Sequence, residues 1–441
     1  MFQDIRGLAL SDATAASLPH YEVAVRELNL FTGDPVASVD EALIENSDFV
    51  MAHALRAWLH LIGTEPAGVP VARTALAAAQ ALPANEREQA HLAAISHLIA
   101  GRWALASQVL EDITIAYPHD LLALQIGHQV DFFRGDARML RDRIARALPH
   151  WSTDMPGYHV VLGMQAFGLE ESGDYAAAER AGRRAIEIEF RDSWAQHAVA
   201  HVMEMQCRPR EGIAWMQKNA EGWSRDSFLA VHNWWHVALY HLELGEIDEA
   251  LALFDGPVHG SRSRVILDMV DASAMLWRLQ LRGIDVGERW QPLVEAWEPL
   301  VGVSHYAFND VHAVLAFVGA DRPDLVRRVI DAQDAAMAAK GDNATFTREV
   351  GRPVVLALKA FGNGCYAECV RLLRPVRNSA HRFGGSHAQR DLLDLTMIEA
   401  ALRDGQPGLA SALAAERAAV RPLSPLAKLF LVRAAELEPA A

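Results

Sequence analysis

The sequence predicts an all-α fold, an α-solenoid of tetratricopeptide-like helical hairpins forming a curved superhelix. Two observations predict it. Apolar residues recur with a period near 3.6 along almost the whole chain, and alternating β-branched runs are absent. A glycine-centred unit also repeats, around Gly101, Gly135, Gly173 and Gly245, at spacings of 34, 38 and 72 residues. Those spacings fit a helical hairpin of about 34 residues with insertions.

Each element of the hairpin has a physical reason. The glycine follows a first helix, at a turn that needs a left-handed or closely packed backbone. Five residues later comes a small or apolar side chain (Ala106, Leu140, Ala178, Ala250) that lets the second helix approach the first. Asp-containing links such as Pro118-His119-Asp120 and Arg191-Asp192 close the units. More degenerate units continue around Gly63, Gly283, Ala320, Gly364 and Gly405. The segments 256–261 and 341–344 read as single breaks in the array. The expected organisation is one domain over residues 1–441, most regular at about 86–255.

Composition narrows the function. The chain has 441 residues, 51% hydrophobic and 22% charged, ordinary for a folded protein. A formal net charge of −15 argues against a nucleic-acid or anionic-membrane partner. No stretch approaches the ~18 apolar residues of a membrane span, and the first residues lack a basic segment followed by an apolar one. A cytoplasmic protein is expected. Three cysteines fit a reducing compartment, and Cys365 and Cys369, one helical turn apart, read as plain thiols. Arg141, Arg143 and Arg146 read as one solvated helix face.

The chemistry concentrates in two stretches, His197 to Glu204 and His232-Asn233-Trp234-Trp235-His236. In tetratricopeptide units with the turn glycine at position fifteen, positions 2, 5, 9, 12 and 13 of the first helix line the inner face. With Cys207 at the turn, His197, His201 and Glu204 fall on 5, 9 and 12. With Gly245 at the turn, His232 falls on 2 and Trp235 on 5, while His236 and His241 point toward neighbouring helices as hydrogen-bonding partners. Gln125, Gln129 and Glu170 take inner positions upstream, as do His53, His60 and His91. Asp310 takes position 5 if Ala320 is the turn, with His312 close by.

His197, His201 and Glu204 could hold a divalent metal, since two imidazoles one turn apart and a carboxylate are a familiar ligand set. A zinc-protease pattern would need a glutamate directly after the first histidine; Ala198 stands there, so that reading fails. The metal-free alternative makes His197 or His201 a general base, with Glu204 orienting, His232 polarising a carbonyl and Asp310 accepting a proton. The bland alternative is a polar stripe hydrogen-bonded to water or peptide. Gly384-Gly385-Ser386 opens a helix where Ser386 and Gln389 form a capping box, or where free N–H groups and Arg390 hold an acid group. No phosphate-binding glycine loop and no nucleophile elbow is present.

Together, the motifs 197–204, 232–236, Asn309-Asp310-Val311-His312 and 384–391 resemble those of the tetratricopeptide repeat protein 38 family, over nearly the whole chain. The resemblance implies the repeat fold and that these motifs belong together; it implies no particular reaction. The leading functional expectation is a His/Glu-rich concave pocket for a small polar or acidic ligand, with hydrolytic or lyase-type acid/base chemistry. The alternative is a scaffold holding a peptide or partner helix in the groove. The sequence leaves the oligomeric state open, a homodimer among the alternatives.

Overall fold

The chain folds as stacked helical hairpins in a computed structural model that describes residues 2–437. It divides into two compact units, residues 1–199 with 219–230, and residues 200–218 with 231–441. In the first, helix Glu86–Ile99 folds back on Trp103–Ala116, and Tyr158–Glu171 on Tyr175–Ile188. In the second, Ile266–Leu281, Ala307–Gly319 and Arg352–Gly362 pack in succession, and Pro407–Val420 packs on Pro425–Ala435.

The turn chemistry is as the repeats require. Gly101, Gly135, Gly173 and Gly245 sit at φ between +64° and +83°, and Cys207 takes the same left-handed turn at +55°. Ala106, Ala178 and Ala250 are fully buried five residues after their glycines. Two turn assignments shift by one residue. The left-handed residues are Thr64 (φ +58°) and Asp321 (φ +54°), not Gly63 and Ala320. Moving the second turn to Asp321 takes Asp310 off the inner position.

Close packing holds the hairpins. A Cβ on Gly182 would stand 2.5 Å from Val199 Cγ2 in the first unit. In the second, Trp277 and Trp297 are buried with their indole N–H groups donating to Thr396 (2.9 Å) and Ser273 (3.0 Å). Truncating such a residue costs about 3–5 kcal/mol.

Beside the helices, Phe2–Gln3 and Ala9–Leu10 pair antiparallel. Arg87 Nη2, donating to the Ala9 carbonyl at 2.9 Å, anchors this turn. One sequence expectation needs correction, and it concerns Arg143, which is not solvated. It is fully buried, donating to Asp131 Oδ2 at 2.9 Å and to the Ser107 hydroxyl at 3.2 Å, because Ser107 and Asp131 on two other helices converge on it. The cysteines are free thiols, Cys369 buried and Cys365 exposed, and burial pushes the Cys369 thiol up to about 12.

Candidate functional site

Two helices bring four functional groups of the second unit together. Helix Ser193–Met205 supplies His201 and Glu204, three apart and therefore on one face. Helix Ala230–Leu244 supplies His232 and His236, one turn apart. The rings of His201 and His236 lie 4.4 Å apart, and those of His232 and His236 4.9 Å apart. Each of these three histidines offers a ring nitrogen within 4.8 Å of the others.

Carboxylates orient two of the rings. His236 Nδ1 lies 2.9 Å from Glu204 Oε2, and His232 Nδ1 lies 2.8 Å from Asp271 Oδ2 on helix Ile266–Leu281. An Nδ1–H donating to a carboxylate fixes the tautomer in which Nε2 carries the lone pair. The indole of Trp235, fully buried, stacks on His232 at 5.3 Å and carries the Arg278 guanidinium 5.4 Å from its ring centre.

Burial decides the protonation states. His201 and His236 are held well below the ordinary histidine value, first by loss of water and then by neighbouring imidazoles. Burial also raises Glu204, opposed chiefly by the Arg421 charge. His201 and His236 are therefore neutral imidazoles beside Glu204, donors that suit Zn²⁺ or a related divalent ion. Tetrahedral Zn–N bonds of ~2.0 Å place nitrogens about 3.3 Å apart, so small ring movements suffice.

Glu204 also lines a cavity of about 410 Å³ in this unit, whose wall carries Met203, Tyr240, Arg278, Asp391 and Arg421. Tyr240 donates its hydroxyl to the Ala200 carbonyl at 2.6 Å, and burial drives its own value up.

The remaining sequence-predicted residues have packing and hydrogen-bonding partners of their own. His197, in the first unit, packs between the rings of Phe167 (5.5 Å) and Trp194 (4.8 Å). Gln125, Gln129 and Glu170 are buried in that unit as well. Asp310 accepts from Ser304 Oγ (2.6 Å) and Gln333 Nε2 (3.2 Å), and burial raises it to about 7. His312 binds the Phe308 carbonyl through Nδ1 at 2.8 Å and is lowered to about 4 by burial. Ser386 forms the expected capping box with Gln389. Arg390 donates to the Gly385 carbonyl of its own turn. His241 pairs with Glu246 at 2.7 Å.

Sequence reasoning missed Asp271, Arg278 and Asp391, and gave His236 only its partner role. A signal existed for Asp271. His91 with Asp120 (3.0 Å, 29 residues on) and His159 with Asp192 (2.8 Å, 33 residues on) make a similar histidine–aspartate pair in the first unit, against 39 residues for His232 and Asp271. There the aspartates also cap the helices they open, accepting from Ala123 and Ala195 N–H. Asp271 lies inside its helix, so capping does not account for it.

No protein-family model matches the chain. Several solved helical-repeat structures align along most of it. The Cut9–Hcn1 hetero-tetramer of the APC/C is 12% identical over 95% of this chain and 76% of that one, with a TM-score of 0.42. Human IFIT1, solved as a dimer with PPP-AAAA, is 12% identical over 98% and 96%, at 0.40. Yeast Tom70 is 11% identical over 96% and 88%, at 0.35. No helix among the described residues is long and apolar enough to cross a membrane.

Proposed function

We propose that the second unit carries a small-molecule site built on a divalent metal held by His201, His232 and His236, with hydrolytic or lyase-type acid/base chemistry at its edge. The observation that carries this reading is the orientation of two converging histidines by carboxylates, Glu204 on His236 and Asp271 on His232. A carboxylate behind a ligating histidine raises its basicity and fixes its direction. Three imidazoles leave further coordination positions open, as metal hydrolases require. Such an ion would lower the pKa of a bound water. Glu204, at the cavity wall and raised by burial, is placed to exchange a proton there. The motif resemblance to the tetratricopeptide repeat protein 38 family supports grouping the 197–204 and 232–236 motifs in one site, and we propose membership of that family on the same ground.

Titration with Co²⁺ tests the site directly. The expected result is a visible d–d band typical of a four-coordinate ion, saturating near one equivalent and absent in His236→Ala. Saturation of the same band by His236→Ala would dismiss the assignment.

A second reading is a protein-interaction scaffold. It is favoured by Val420, Leu423, Leu429 and Val432, all exposed around helix Pro425–Ala435. A peptide, a partner helix or a second copy would cover them. Light scattering of Leu423→Glu/Val432→Glu against the parent chain checks the homodimer version, which requires the variant alone to run as a monomer.

A further inference from the structure

The cavity beside Glu204 has an electrostatic imbalance that the protein's own groups do not resolve. Its wall carries six arginines and four carboxylates, in a chain whose net charge is −15. Most of them are matched. Arg417 donates twice to Asp391, at 2.7 and 3.0 Å, and Arg421 stands 3.9 Å from the same carboxylate. Arg403 and Arg433 share Glu399, each at 2.7 Å. Glu204 is engaged by His236, and Glu243 accepts from the Ser424 hydroxyl.

Arg278 and Arg282 are left without a carboxylate within 4.0 Å among the described residues. Arg278 is only 5% exposed; it donates to the carbonyls of Ala274 (3.3 Å) and Ala388 (2.7 Å) and to nothing charged. Arg282 donates to the Leu242 carbonyl. Burial lowers both guanidinium groups, Arg278 to about 10, so each charge is held at a cost. Arg278 lies in the last turn of helix Ile266–Leu281 and Arg282 caps it four residues on, a spacing that sets Cβ atoms about 5–6 Å apart on one side of a helix. The rest of the wall is apolar, with Leu239, Leu395, Leu426 and Phe430 prominent.

We propose that this cavity binds a small organic anion, its carboxylate or phosphate oxygens held by Arg278 and Arg282 and its apolar body against Leu395, Leu426 and Phe430. Guanidinium forks match both oxyanions in geometry, and a bound anion supplies the direct ion-pair partner that Arg278 and Arg282 lack. This deepens the ligand part of the reading above and is independent of its metal part. The distribution of charge also explains why an acidic protein would take an acidic ligand: the local field, not the net charge, meets the ligand.

Isothermal titration of the full chain, with and without prior chelator treatment, tests the proposal with four probes: octanoate, octanamide, hexyl phosphate and inorganic phosphate. Octanoate or hexyl phosphate should bind at least about tenfold tighter than octanamide, and inorganic phosphate should be weaker than hexyl phosphate for lack of an apolar body. Whichever amphiphile is preferred separates carboxylate from phosphate as the source of the oxyanion. Arg282→Gln, a partly exposed position, should weaken the preferred probe about tenfold while leaving melting temperature and metal content unchanged. Arg278→Gln should do the same if it folds. Octanamide binding as tightly as octanoate, or no binding by either amphiphile at about 1 mM, would overturn the proposal. Anion binding by chelated protein would uphold it even where no metal is found; a loaded metal site with no anion binding would defeat it and leave the metal reading standing.

Discussion

His236 Nδ1 and Glu204 Oε2 stand 2.9 Å apart, across two helices, with the imidazole fully buried and the carboxylate on a cavity wall. That single bond links the histidine cluster to the cavity. It aims one imidazole and places a proton-exchanging group where a ligand would enter.

Glu204→Gln and Asp271→Asn should each weaken Co²⁺ or Zn²⁺ binding about 10–100-fold without removing a ligand, because each loosens the orientation of one histidine. Competition against a chromogenic chelator measures this, and the melting temperature of the metal-free protein reports the fold. Affinities within about twofold of the parent would show that the carboxylates do not support metal ligands.

Metal-free stability should fall as pH drops. His201 and His236 have depressed values in the folded chain, so below the unfolded value near 6.5 the unfolded chain takes up protons that the folded cluster refuses. Their contribution is complete above that pH and is lost going down, at up to about 1.4 kcal/mol per pH unit for each histidine. His128, lowered to about 3, and His312, lowered to about 4, act with the same sign. Urea denaturation at pH 7.5 and 5.0 should therefore show a shallower pH dependence in His236→Gln than in the parent. Identical slopes would mean that His236 titrates normally.

Asp310 works in the opposite direction. Its folded value of about 7 lies above the unfolded one, so it costs stability as pH rises from about 4 to 7. Asp310→Asn keeps an oxygen to accept from Ser304 and Gln333 and removes the ionisable group. The variant should be more stable at pH 8, on the order of 3 kcal/mol, and nearly unchanged at pH 4. Equal stability of variant and parent at pH 8 would contradict a raised Asp310.

Gly212→Ala should destabilise the second unit by about 1–3 kcal/mol or more, since its new methyl would be built into the ring of Tyr240. The ring has little room to retreat, being buried and tied to the Ala200 carbonyl. Thermal denaturation of the variant checks this, and an unchanged melting temperature would show that the two helices can separate freely.

Much of the fold was legible because a left-handed turn between close helices favours glycine, as at Gly101 and Gly245. Thr64 and Asp321 were not, since a β-branched threonine disfavours a positive φ and an aspartate adopts one far less often than glycine, and the one-residue slip misphased Asp310. Within the site, His201, Glu204 and His232 were legible through helical phase. His236 was half legible: its position faces a neighbouring helix, and that helix is the one bearing Glu204. Arg278 was hidden because its surroundings come from residues about 110 positions away, at Ala388, and periodicity carries no information on such pairs.

Metal analysis of the full chain, purified without chelator or affinity-column metal, tests the central claim most directly. The account predicts close to one equivalent of a divalent transition metal, lost in a variant carrying His201→Ala, His232→Ala and His236→Ala together. Less than about a tenth of an equivalent, persisting after incubation with Zn²⁺ and Co²⁺, would contradict it.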